Sequence, residues 1–171
     1  MRMRFKPYAH DELMAAGFHV HEPLIWGGKW HGQYARPEQP FILELGCGDG
    51  TLWTDNLSLL PEDISITLSD ISSGMLRDAR RAIGSSDTRF AFRAFDCRKI
   101  PCKDESFDLV IANHVLFYCD DIPSVLKEVR RVLAPGGRFL CSAYGKAHMQ
   151  EVSQLVQDFD ERIVLSADRL Y

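Results

Sequence analysis

The segment Glu44-Leu-Gly-Cys-Gly-Asp-Gly50 gathers the residue types that a ligand-binding loop needs. Gly46, Gly48 and Gly50 stand two apart and lead into Thr51-Leu52-Trp53, which reads as the start of a helix. Glycines let a backbone turn sharply and let a ligand approach the peptide groups without meeting a Cβ. Two phosphate loops can be compared with this one. A P-loop carries a lysine and a hydroxyl residue at its end, and Asp49-Gly50-Thr51 supplies an acid where that lysine belongs. A dinucleotide fingerprint wants its third glycine one position later, where Thr51 stands. Glu44 and Asp49 flank the loop, and carboxylates repel a diphosphate but suit a ligand carrying ammonium or sulfonium cations.

Further acids follow at regular intervals. Asp70 lies about twenty residues beyond Gly50, the spacing at which a carboxylate meets a ribose diol in open parallel sheets. The alternative for Asp70 is a helix cap over Ser72-Ser73-Gly74. Asp96 suits an adenine amino group, or else starts a turn near Cys97. His114 follows a buried apolar run and is a candidate general base, set against a packed core histidine. Tyr118 and Tyr144 are rim candidates set against aromatic core positions. His19, His21 and His31 come near metal-ligand spacing without an acidic companion, so no metal is expected.

These residues need elements to hold them, and the chain supplies short apolar runs alternating with amphipathic stretches. Phe41 to Gly46, Ser65 to Asp70, Arg89 to Asp96, Ser106 to Asn113 and Gly137 to Tyr144 read as five strands. Met75, Leu76, Ala79, Ala82 and Ile83 fall on one helical face, as do Ile122, Val125, Leu126, Val129, Val132 and Leu133. The second helix ends at Ala134-Pro135-Gly136-Gly137. Val152, Leu155, Val156 and Phe159 mark a third helix. The alternation implies an α/β fold, a Rossmann-like doubly wound and mostly parallel sheet, with ligands at the carboxyl ends of the strands. Residues 1–39 show no sustained period and read as a lead-in, with Trp26, Trp30 and Tyr34 forming an apolar lid on a core of residues 40–171.

At 171 residues, 46% hydrophobic and 26% charged, the chain is sized for one globular domain. A net charge of −4, with both signs mixed along the chain, disfavours a nucleic-acid partner. Five cysteines without a C-x-x-C pair suggest neither a disulfide framework nor a zinc site. No run is long and apolar enough to span a bilayer, and a cytoplasmic location with no membrane partner is expected.

Taken together, ILELGCGDG, LSDISSGML, FDCRKIPCKDESFDLVIANHVLFYCDD and VLKEVRRVLAPGGRFLCSAY resemble, in order, the motifs of class I S-adenosylmethionine-dependent methyltransferases, closest to the small-molecule, ubiquinone-biosynthesis-like group. The resemblance covers Phe41 to about Phe159. It implies that Gly46, Cys47, Gly48 and Gly50 shape a loop around the methionine part of S-adenosylmethionine, with Glu44 and Asp49 near its ammonium. It further implies that Asp70 holds the ribose, that Ile71 and Met75 sandwich the adenine, and that Asp96 and the backbone of Cys97 read its edge. Asn113 would lie near the methionine moiety, with S-adenosylhomocysteine as the product.

Methyl transfer from a sulfonium is an in-line displacement, so positioning the acceptor and excluding water supply most of the acceleration. The N/D-P-P-Y/F motif that the resemblance associates with methylation of amide, adenine or glutamine nitrogen does not follow the fourth strand, and Asn113-His114-Val115-Leu116 stands in its place. The family usually closes its sheet with a C-terminal β-hairpin. Beyond Tyr144 only Ile163-Val164-Leu165 reads as a strand, so a C-terminally shortened form lacking the hairpin is expected. Such a form would leave the fifth strand as an open edge, either paired in a homodimer or covered by the C-terminal helix and tail. The expected activity is methyl transfer to a small-molecule acceptor. The alternatives are a non-catalytic cofactor-binding module or incomplete enzyme, and an NAD-dependent dehydrogenase, for which Tyr144 and Lys146 lie too close together.

Overall fold

The computed structural model describes residues 40–142 and 150–159. The lead-in of residues 1–39, with its histidines and its proposed lid, lies outside them, as do Tyr144, Lys146 and Ile163-Val164-Leu165. Five strands form one parallel sheet: β1 (Phe41–Leu45), β2 (Ser65–Asp70), β3 (Phe90–Ala94), β4 (Phe107–Asn113) and β5 (Leu133–Ser142). Their order is β3-β2-β1-β4-β5. The chain runs outward from β1 to β3, then returns to β4 on the other side of β1. The crevice at that reversal, beyond the carboxyl ends of β1 and β4, is where open α/β sheets bind ligands. β3 and β5 are the outer strands among the described residues.

Among the described residues the helices are α1 (Thr51–Thr54), α2 (Ser73–Ile83), α3 (Ile122–Val132) and α4 (Gln150–Phe159). Alternation along the strands splits the core in two, because successive side chains of a strand point to opposite faces. Ile42, Leu109 and Ile111 face Trp53, Leu76 and Ile83, the side chains of α1 and α2. Leu43, Leu45, Val110 and Ala112 face Val125, Val129 and Val132 of α3. The sheet is therefore covered on both sides, which a parallel sheet requires.

The six apolar positions read as the face of α3 are all buried. The face of α2 is narrower than its spacing suggests, since Leu76, Ala79 and Ile83 are buried whereas Met75 and Ala82 are exposed. α4 forms over the third apolar stripe, but its Leu155 and Phe159 are exposed. α3 ends at Val132, and extended backbone begins at once with Leu133 pairing to Phe107. Residues 134–137 interrupt the ladder before Arg138 pairs with Leu109. A Cβ on Gly137 would come within 2.9 Å of the Ala134 carbonyl oxygen, so only glycine fits this crossing.

Arg131, near the end of α3, fixes the connection from β3 to β4. It donates to the carbonyls of Ile100 (2.7 Å) and Cys102 (2.8 Å) and pairs with Glu128 and Asp104. On the opposite rim the loops after β1 and β4 touch. Gly46 has φ +66°, and a Cβ there would lie 2.5 Å from Cγ2 of Val115. Gly46→Ala combines a left-handed conformation with an overpacked contact, and it should lower stability by about 3 kcal/mol. Thermal melting checks this, and an unchanged melting temperature would contradict the contact.

Candidate functional site

A cavity of about 430 Å³ opens at the carboxyl ends of β1, β2, β3 and β4. Asp70, the last residue of β2, forms the joint between its floor and the glycine loop. One carboxylate oxygen accepts from the backbone N–H of Gly48 at 3.1 Å and the other from that of Ser72 at 2.8 Å. The helix-cap role falls to Ser72, whose hydroxyl accepts from the N–H of Met75. Ionised carboxylates have about four acceptor sites, so two backbone bonds leave room for ligand hydroxyls.

The side chains after Asp70 face the cavity and are unusually open for apolar residues. Ile71 is 75% exposed and Met75 46% exposed, although both stand beside a well-formed core. Gly48 also lines the cavity, and a Cβ built there would meet nothing within 4 Å, so its backbone presents open space. At the far wall Asp96 is gripped by Arg98, with the guanidinium Nη2 at 2.6 Å and the Arg98 N–H at 2.9 Å. Arg98 holds the Asp96 carboxyl below its usual range. The turn alternative for Asp96 is thus realised, and the same residue and Cys97 also line the cavity. Asp70, Asp96, Asp120 and Arg98 give the cavity three carboxylates against one guanidinium.

His114 closes the remaining side. It has φ +52°, an uncommon left-handed conformation for a side chain of this size. Its N–H donates to the Ser142 carbonyl at 3.0 Å, and its ring meets Phe117 edge to face. The Ser142 hydroxyl donates to Oδ1 of Asn113 at 3.2 Å, tying the ends of β4 and β5 together. Tyr118 is exposed at the cavity and is not a core aromatic.

Several residues read from the sequence are not part of the cavity lining. Asn113, Asp49, Gly50, Cys47 and Glu44 do not line it. Asp49 accepts from the N–H and the hydroxyl of Thr51, which holds its carboxyl below the usual range and fixes the first turn of α1. Gly50 packs against Ala79 of α2. Cys47 is buried, and burial beside Glu44 and Asp70 pushes its thiol up. Sequence spacing missed Phe95, Arg98, Val115, Cys119 and Asp120, which do line it. Their position just after β3 and β4 was the available signal. Among the described residues no cluster of His, Cys, Asp and Glu could hold a metal ion, and no helix is long and apolar enough to cross a membrane.

Glu44 is buried under the loop, and its carboxylate accepts from Nε1 of Trp53. Burial pushes the carboxyl up to about 7, the indole bond opposes this, and the Asp70 charge adds to it.

Residues 43–141 match the family model described as a methyltransferase domain. The chain is 32% identical over 140 residues to a demethylmenaquinone methyltransferase of Symbiobacterium thermophilum, covering 78% of this chain and 52% of that protein. It is 30% identical over 141 residues to a sterol 4-C-methyltransferase of Caenorhabditis elegans, covering 76% and 42%. The chain thus spans about half the length of these relatives. Among solved structures, an S-adenosylmethionine dependent methyltransferase from Mesorhizobium loti superposes with a TM-score of 0.57 at 29% identity, covering 66% of this chain and 50% of that one.

The buried Glu44 carboxyl makes the stability of the fold depend on pH. The folded carboxyl titrates near 7 against 4.5 ordinarily, so its stabilising contribution is complete below about 4.5 and is lost as pH rises through about 7. Glu44→Gln keeps an acceptor for Trp53 but cannot ionise. From about pH 4.5 to about pH 8, the variant's stability relative to the parent should improve by up to about 3 kcal/mol. Denaturant unfolding across that range measures it, and a pH-independent difference would contradict the buried-acid assignment.

Proposed function

The chain belongs to the methyltransferase domain family, and from that membership we propose that it binds S-adenosylmethionine in the cavity and passes the methyl group to a small-molecule acceptor. Bound there, the cofactor supplies an electrophilic methyl group on a sulfonium. The observation that carries the reading is Asp70, whose carboxylate secures the open Gly48 backbone and still has acceptor capacity toward the cavity.

The residues fit such a ligand in size and chemistry. A volume of about 430 Å³ falls within the range of small-molecule sites. Ile71 and Met75 would hold the adenine faces, since apolar side chains this exposed beside a cavity gain most from being covered by a flat ring. Asp70 would accept from the ribose hydroxyls, and the Cys97 backbone and Asp96 would meet the adenine edge. The glycine loop would receive the methionine end, and the acidic excess suits its ammonium and sulfonium.

Glu44 and Asp49 act here as supports of the loop, through Trp53 and Thr51, and Asp49 also acts on the ligand by its charge. The supporting role is shared by Cys47, Gly50 and Asn113, which shape the loop and the β4 end from outside the cavity lining.

His114 lines the same cavity and would take a proton from an acceptor such as a phenol or amine. The relatives' names, which specify a sterol and demethylmenaquinone, support a small-molecule acceptor. Free thiols support a reducing, cytoplasmic location.

Titration calorimetry tests the reading. S-adenosylmethionine and S-adenosylhomocysteine should bind, and NAD should not. Asp70→Asn keeps a side-chain acceptor for one backbone bond yet loses the charge, so S-adenosylhomocysteine affinity should fall about 10- to 100-fold. Equal affinity of parent and variant would remove Asp70 from the ribose site.

A further inference from the structure

Two of the five cysteines face each other at the cavity. Cys97 stands in the turn after β3 and Cys119 directly after the 3-10 turn Leu116–Tyr118 that follows β4. Their sulfurs are 3.5 Å apart although 22 residues separate them in the chain. Both are partly buried, so small oxidants can reach them. Arg98 and Asp120 adjoin the pair, and Cys119 also lies against the carbonyl of Val115 at 3.7 Å.

We propose that this pair is an oxidation site, at which a peroxide converts Cys97 and Cys119 into a disulfide that staples the two loops across the cavity and weakens cofactor binding. The effect on binding rests on the cofactor reading above, whereas the disulfide does not.

The chemistry needs one two-electron oxidant. Cys119 sulfur attacks one oxygen of hydrogen peroxide, the O–O bond breaks, and the products are a sulfenic acid and water. Cys97 sulfur then attacks the Cys119 sulfur, the S–O bond breaks, and the oxygen leaves as a second water. Two thiols are oxidised and one peroxide is reduced. The S–H···S contact holds the two sulfurs together, and either of them can donate in it. That contact lowers the Cys119 thiol and raises that of Cys97, which also sits beside Asp96. The thiolate is the attacking species. What sets Cys97 and Cys119 apart is the 3.5 Å contact between their sulfurs, while burial pushes the thiols of Cys47 and Cys141 up, the latter to about 12.

Closing the bond brings the sulfurs from 3.5 Å to about 2.05 Å. The turn bearing Asp96, Cys97 and Arg98 must then shift toward the segment after β4. That turn is where the adenine edge is placed, so the subsite narrows. By linkage, bound cofactor favours the dithiol to the same extent.

The full chain, treated with hydrogen peroxide and digested without reductant, should yield a Cys97–Cys119 cross-linked peptide as the main oxidised product. Affinity for S-adenosylhomocysteine should fall at least tenfold and return with dithiothreitol. In Cys119→Ser, affinity should be the same before and after peroxide, whatever its starting value. Oxidation spread over Cys47, Cys102 or Cys141, a cross-link between two chains, or a cross-linked protein of unchanged affinity would each overturn the proposal. Reduced protein that binds no S-adenosylhomocysteine would overturn the binding effect together with the cofactor reading, and the peptide map alone would then decide the disulfide.

Discussion

The carboxylate of Asp70 is the joint on which the site depends. A glycine loop has no side chains to hold its shape, and its open backbone at Gly48 would otherwise be free to wander. Asp70 supplies the restraint from β2, with one oxygen on Gly48 and the other on Ser72. The parallel sheet makes this possible, because all its strands deliver their carboxyl ends to one rim. Each loop on that rim is then braced by a neighbour: Gly46 against Val115, Asp96 by Arg98, and Asn113 through Ser142. The connection entering β4 is braced in the same manner from below by Arg131.

A second layer lies beneath the rim. Glu44 is an acid in a place that disfavours charge, tolerated because Trp53 donates to it. It has the sequence signature of a ligand-binding carboxylate and the surroundings of a buried support. Asp49 is another case, committed to Thr51 and the start of α1. The loop thus separates into residues that present backbone to the cavity and residues that hold it in place, and identity alone does not tell the two apart.

Much of the sheet was legible, since short β-rich runs closing on Glu44-x-Gly46, Asp70 and Asn113 mark parallel strands and their carboxyl ends, whereas β3 stops at Ala94, two residues before Asp96. β2 begins and ends where its residues indicate, while β5 begins earlier because Leu133 pairs before the glycine crossing. Side-chain exposure was less legible. Met75 shares a helical spacing with Leu76 and Ala79, yet the crevice leaves it open. Periodicity records which residues are apolar and says nothing of a cavity cut into the face they form. The Cys97–Cys119 contact was hidden for a related reason, because it depends on how two loops from distant parts of the chain meet.

The central claim is that the rim beside Asp70 is the cofactor site, and amide chemical shifts of the isotope-labelled chain titrated with S-adenosylhomocysteine test it most directly. The account predicts the largest changes at Gly46, Gly48, Ile71, Ser72 and Cys97, the backbone groups around the cavity. Saturable binding with shifts confined to residues away from these positions would contradict it.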